Sequence, residues 1–166
     1  MGPHGPARRR SAWQGSAGVL DRRVIRELPV GETHLAYKAM FELRPAVGDE
    51  AAFVKRVDAV QRPGGYRLVA SFVEGDIHAI AAAGFRVVHY LFWGDTLYCD
   101  DLGTLTAHRG KGHAGKLIDW MIEEARRLGC SEFHLDSGPG ADRIDAHRLY
   151  FNKGMRISAY HFSRPV

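Results

Sequence analysis

The sequence predicts a mixed α+β domain with a mostly antiparallel sheet, and three observations predict it. Two helical patterns precede any run of strands, and a block of β-branched and aromatic segments joined by tight turns then reads as an antiparallel meander. The last third alternates strand, helix, strand, helix and strand, so it holds a β-α-β unit whose two strands are expected to be parallel.

Residues 23–28 (RVIREL) form a short first strand stopped by Pro29. Thr33 is placed to cap a helix through Leu35, Ala36, Met40 and Leu43 that ends at Pro45. Asp49 is placed to cap a second helix through Phe53, Val57 and Val60, ended by Pro63-Gly64-Gly65. The meander runs through strands at 66–73, 77–90 (with Gly84 as a potential break) and 96–105, with turns at Glu74-Gly75-Asp76 and Trp93-Gly94-Asp95.

Leu117, Ile118, Met121, Ile122, Ala125 and Leu128 recur at helical spacing on one face, with Asp119, Glu123, Glu124, Arg126 and Arg127 away from it. Glu123 and Arg127 are spaced for an i,i+4 pair, and Gly129 suits the position past the helix end. A strand at 131–136 and a loop at Gly138-Pro139-Gly140 follow. A short helix capped by Asp142 and closed by Gly154 comes next, then a strand at 156–162.

Composition narrows the function classes. The chain has 166 residues, 45% of them hydrophobic, enough for one well-packed domain. Arg8, Arg9 and Arg10 supply three of the formal charges in a net +4, so the body from residue 21 onward is close to neutral and a nucleic-acid surface is not expected. Cys99 and Cys130 are too few for a disulfide framework, which fits a reduced, cytoplasmic setting. No apolar run approaches the roughly 20 residues of a membrane span. Residues 1–20, rich in Gly and Pro with the arginine cluster, are expected to form a flexible basic tail ahead of a single domain at 21–166. An Arg-rich transit peptide is the alternative for the tail.

The chemistry-bearing stretch is Arg109-Gly110-Lys111-Gly112-His113-Ala114-Gly115-Lys116, immediately ahead of the amphipathic helix. Glycines let a backbone approach a ligand, and a helix N-terminus offers unpaired N–H groups and a partial positive charge, so the stretch suits phosphate. It fits three phosphate motifs. A Walker A loop fails because its last position is Leu117, where a hydroxyl is needed for Mg²⁺. The dinucleotide spacing Gly110-x-Gly112-x-x-Gly115 has Asp136 following 21 residues after Gly115, as a ribose-binding acid would. Against it, Thr106-Ala107-His108-Arg109 separates strand from glycine, and only 30 residues remain after Asp136 to complete a doubly wound sheet.

The third match is Arg109-x-x-Gly112-x-Ala114, and with Ala146-x-x-x-Tyr150-x-x-x-Gly154-Met155 it resembles the GNAT superfamily of acyl-CoA-dependent N-acyltransferases from about Val24 to the C-terminus. The resemblance implies a twisted mixed sheet flanked by about four helices, with the parallel fourth and fifth strands splayed apart. It also implies acetyl-CoA as cosubstrate, no metal, and direct transfer of the acetyl group to a small-molecule or peptide amine in a ternary complex. Carried over, Leu102, Gly103 and Thr104 would border the pantetheine arm, and Arg109, Gly110, Lys111, Gly112, His113 and Ala114 would hold the pyrophosphate, chiefly through backbone N–H groups. Tyr150 would be the acid for the departing thiolate, and Asp100 or Asp101, expected on opposite sheet faces, the base. His134, Asp136 and His147 are further candidates for the base. Arg143 stands where the family pattern has Asn, which leaves its contact open between a CoA phosphate and solvent. A strand-forming C-terminus would also allow a homodimer. The rival readings are a CoA-binding module without catalysis and an NAD-binding oxidoreductase.

Overall fold

A computed structural model describes residues 23–166; the expected basic tail at 1–20 lies outside them. The sheet has five strands in the order β1-β2-β3-β4-β5: β1 (Arg23–Leu28), β2 (Arg67–Val73), β3 (Ala81–Tyr90), β4 (Gly94–Thr104) and β5 (Glu132–Leu135). All neighbours are antiparallel except β4 and β5, which are parallel. That order and mixture exclude the doubly wound sheet of a dinucleotide-binding fold, whose strands are mostly parallel.

Helices cover both faces. On one lie α1 (Tyr37–Leu43), entered through a 3₁₀ turn at Thr33–Ala36, and α2 (Glu50–Arg56), which continues as a π turn at Val57–Gln61. On the other lies α3 (His113–Arg127), and α4 (Ile144–Asn152) follows β5. The alternation of β2 shows how the layers are filled. Leu68, Ala70 and Phe72 join the core with Ala36, Met40 and Phe53, whereas Val69 joins that with Phe85, Leu97, Leu117, Ile118 and Met121. A strand buried on both faces has no polar side, which is why its sequence reads as a continuous apolar run.

Most predicted elements are present, with informative differences. Asp49 caps α2, its carboxylate accepting the Ala52 N–H at 2.8 Å. Thr33 does not cap; it is buried, and its hydroxyl donates to Asp58 at 2.6 Å, tying the entry of α1 to the end of α2. Asp142 does not cap α4 either, because a 3₁₀ turn at Ala141–Arg143 precedes the helix. The pair expected between Glu123 and Arg127 is replaced by Arg126 with Glu123 and Arg127 with Glu124. Glu124, expected on the polar face, is buried: Arg67 of β2 reaches both it and Glu27 of β1 at 2.6 Å. Residues 156–166 form no strand and are exposed, so the predicted last strand is absent from the described structure.

Two close approaches fix the ground of the site. Tyr66 packs its ring where a side chain on Gly84 would be, a Cβ there lying 1.7 Å from the tyrosine oxygen. Gly103 lets β4 meet α1, since a Cβ would lie 2.8 Å from the Ala39 carbonyl oxygen.

Candidate functional site

The parallel pairing of β4 with β5 covers only Thr96 to Cys99 against Glu132 to Leu135. Beyond it, β4 continues to Thr104 with β3 as its ladder partner, so its other edge, at Asp101 to Thr104, faces a gap. Buried strand edges need hydrogen-bond partners, and an opened edge at the C-terminal end of a parallel pair is a place to lay an extended polar ligand. Thr104 also has a buried hydroxyl without a hydrogen-bond partner among the described residues.

The gap leads to the N-terminus of α3. Gly110 and Gly112 have φ of 73° and 83°, a region L side chains rarely adopt, and Gly112 occupies the cap position of the helix. The first hydrogen bond of the helix ladder runs from the Lys116 N–H to the Gly112 carbonyl at 3.1 Å, so the N–H groups of the first turn point toward the loop mouth. The cationic side chains fold back on the loop: Arg109 donates to the Thr104 carbonyl at 3.3 Å and Lys111 to that of Ala107 at 3.1 Å. His113 is buried, with Nδ1 and the Ser71 hydroxyl 3.1 Å apart, so it offers the loop only its backbone. The helix begins four residues earlier than the apolar periodicity indicated, because the glycine-rich stretch is itself its first turn.

A cleft beside the gap is lined by Leu43, Arg44, Cys99, Asp100, Leu102, Leu135, Asp136, Arg143 and Tyr150. Tyr150 comes from α4; its hydroxyl interacts with Arg143 and Ser137, and burial raises its pKa, so it is a protonated donor at neutral pH.

Asp100 and Asp101 do not point to opposite faces. Gly84 pairs with Asp101 and Phe85 with Cys99, so Asp100 is the extra residue of a β-bulge. Alternation is broken there: Asp101 accepts from Tyr66 at 3.2 Å and Arg44 at 3.0 Å, while Asp100 accepts at 2.9 Å from Arg86, whose guanidinium carbon lies 5.5 Å from the Tyr66 ring centroid. Burial raises the Asp100 pKa, and the neighbouring Arg86 partly offsets this.

The other acid–base candidates are engaged elsewhere. His134 pairs with Glu132 and packs edge-on against Trp93. His147 is tied to Ser137 at 3.1 Å and the Gly138 carbonyl at 2.9 Å. Asp136 reaches the cleft wall but bonds Tyr98 and pairs with His161 at 2.9 Å. Sequence reasoning missed Tyr66, Arg44 and Arg86, which hold the two carboxylates; their only local signal was the Gly84 that receives the Tyr66 ring.

This architecture and loop can be set against known proteins. The model of the acetyltransferase (GNAT) family matches residues 33–155. The chain belongs to the GNAT family. It is 35% identical over 133 residues to the uncharacterised N-acetyltransferase YhdJ of Bacillus subtilis (strain 168), covering 79% of this chain and 89% of that protein. Among solved GNAT-fold structures, the aminoglycoside N-acetyltransferase AAC(6')-Iy in complex with CoA superposes with a TM-score of 0.72 at 17% identity, covering 86% of this chain and 94% of that one. A ribosomal-protein-alanine N-acetyltransferase from Brucella melitensis biovar Abortus 2308 gives 0.71 at 16% identity, covering 87% and 99%. As a member of the GNAT family the chain is an acyltransferase.

Proposed function

We propose that this protein moves the acetyl group of acetyl-CoA directly to an amine within a ternary complex, in a single domain at residues 21–166. The observation that carries the reading is the opened β4 edge running into the glycine-bounded N-terminus of α3, with Tyr150 in the cleft beside it.

The residues fit CoA. The N–H groups of 110–114 and the α3 dipole would hold the pyrophosphate, and the glycines matter because side chains there would keep phosphate at a distance. The Leu102, Gly103 and Thr104 edge would bond the amide groups of the pantetheine arm, and a backbone N–H of that edge would receive the thioester oxygen as charge builds on it. Arg109 and Lys111 stiffen the loop through its carbonyls and add positive charge.

The acceptor nitrogen attacks the thioester carbon, the C–S bond breaks, and the amine loses one proton while the thiolate gains one. Asp100 is the base of choice, because it lines the cleft and burial raises its proton affinity. Asp101, engaged by Tyr66 and Arg44, is a positioning residue that fixes the bulge. Tyr150 serves the leaving sulfur as proton donor. Cys99 is buried with its pKa raised, which makes it a poor nucleophile and supports transfer without an acyl-enzyme.

The test is release of CoA thiol from acetyl-CoA across an amine library. Turnover is expected with at least one acceptor, and Tyr150→Phe and Asp100→Asn should each lower kcat by about a hundredfold or more with little change in KM for acetyl-CoA. Wild-type turnover undiminished in both variants would remove these roles; binding of acetyl-CoA without release of thiol for any amine would remove the reading itself.

A further inference from the structure

We propose that the acceptor is a small amine carrying its own anionic group, a carboxylate or a phosphate monoester, and that Arg143 and Arg44 receive that group. The inference rests on the transferase reading and deepens it. Four charged side chains line the cleft, and three have ion-pair or hydrogen-bond partners. Asp100 has Arg86, Asp136 has His161, and Arg44 has Asp101. Arg143 has no carboxylate partner among the described residues: its Nε lies 3.5 Å from the Ser137 hydroxyl, and its remaining polar contact is with Tyr150.

Arg44, although paired, keeps unused donors. Only its Nε is used, on Asp101 at 3.0 Å, and its side chain is 56% exposed, so the two terminal nitrogens of the fork are left without a described hydrogen-bond partner. The two guanidiniums come from separate elements, Arg44 from the end of α1 and Arg143 from the turn before α4, and line the same cleft as Asp100. A guanidinium fork matches the paired oxygens of a carboxylate or phosphate, and the energy of such a contact is greatest where water is partly excluded, as between Leu43, Leu102 and Leu135. An amine bearing an anion places opposite charges on Arg143 and Asp100 together.

The experiment compares matched acceptors by CoA-thiol release: L-amino acids against their amides, and glucosamine 6-phosphate against glucosamine. Within at least one pair kcat/KM is expected to favour the anionic member by about tenfold or more, and the pair that does so identifies the anion. Arg143→Gln should bring that ratio near one, while Arg143→Lys, keeping charge without the fork, should keep part of it; circular dichroism confirms that both fold. Equal or faster turnover of the members lacking the anion overturns the proposal and leaves the transferase standing. A rise confined to KM for acetyl-CoA in Arg143→Gln, with the ratio intact, also overturns it by assigning Arg143 to the cosubstrate. No thiol release from any member, with acetyl-CoA still bound, overturns the transferase reading and this proposal with it.

Discussion

Asp100 is pulled in two directions, its burial raising the pKa and the Arg86 guanidinium 2.9 Å away lowering it. As a base it works deprotonated, so activity should fall as pH drops through a pKa held above the ordinary carboxylate range. Arg86→Gln removes the lowering influence, and the acidic limb of the kcat/KM profile should move to higher pH; a limb that stays in place would take the base role from Asp100. Little of this was legible from residues 100 and 101 alone. Two adjacent strand residues normally face opposite ways, and only the bulge opposite Gly84 and Phe85 sets both among Tyr66, Arg44 and Arg86. The glycine-rich loop ahead of α3 was legible, because its requirement is local: glycine at the positive φ of 110 and 112, then a helix start.

At the scale of elements, α3 is fastened to the sheet by a chain of charges as well as by its apolar face. Glu27 of β1, Arg67 of β2, and Glu124 and Arg127 of α3 are linked in succession, with Arg67 also 4.9 Å above the Phe85 ring. Hydrogen bonds from Arg127 and Arg67 bring the Glu124 pKa down to about 2 from 4.5. A carboxylate with a lowered folded pKa stabilises fully above its unfolded value and loses that contribution as pH falls, here between about 4.5 and 2. Solvent screening through the largely exposed Arg127 makes about 3 kcal/mol an upper bound on what this shift contributes. Urea unfolding should therefore show Glu124→Gln less stable than wild type at neutral pH, with the gap narrowing as pH falls from about 4.5 towards about 2; a gap independent of pH would assign the loss to packing instead. The sequence placed Glu124 on the polar face because helical periodicity cannot see an arginine arriving from another strand. The expected strand at 156–162 is absent although β5, last in the sheet order, keeps an outer edge unpaired among the described residues, so propensity by itself does not dock a segment on a sheet.

For the whole molecule, the fold makes a prediction independent of turnover. A ligand that binds the native state alone raises the melting temperature, by a stabilisation of about 2.7 kcal/mol at a hundredfold excess over Kd. Acetyl-CoA should raise it and NAD should not, since the five-strand order has an opened parallel pair where CoA would lie and no doubly wound crevice. A shift with NAD alone would reverse the assignment of the loop. The sequence by itself determined the order of elements as far as α4, the mixed sheet and the glycine-bounded start of α3, because helix periodicity, turn residues and glycine conformations act over a few neighbouring residues. Only the tertiary structure decided which carboxylate faces the cleft, which arginines neutralise the acids and which is left without one. Those outcomes depend on a bulge and on pairings between residues such as Arg44 and Asp101, 57 positions apart, that only the packed sheet brings together.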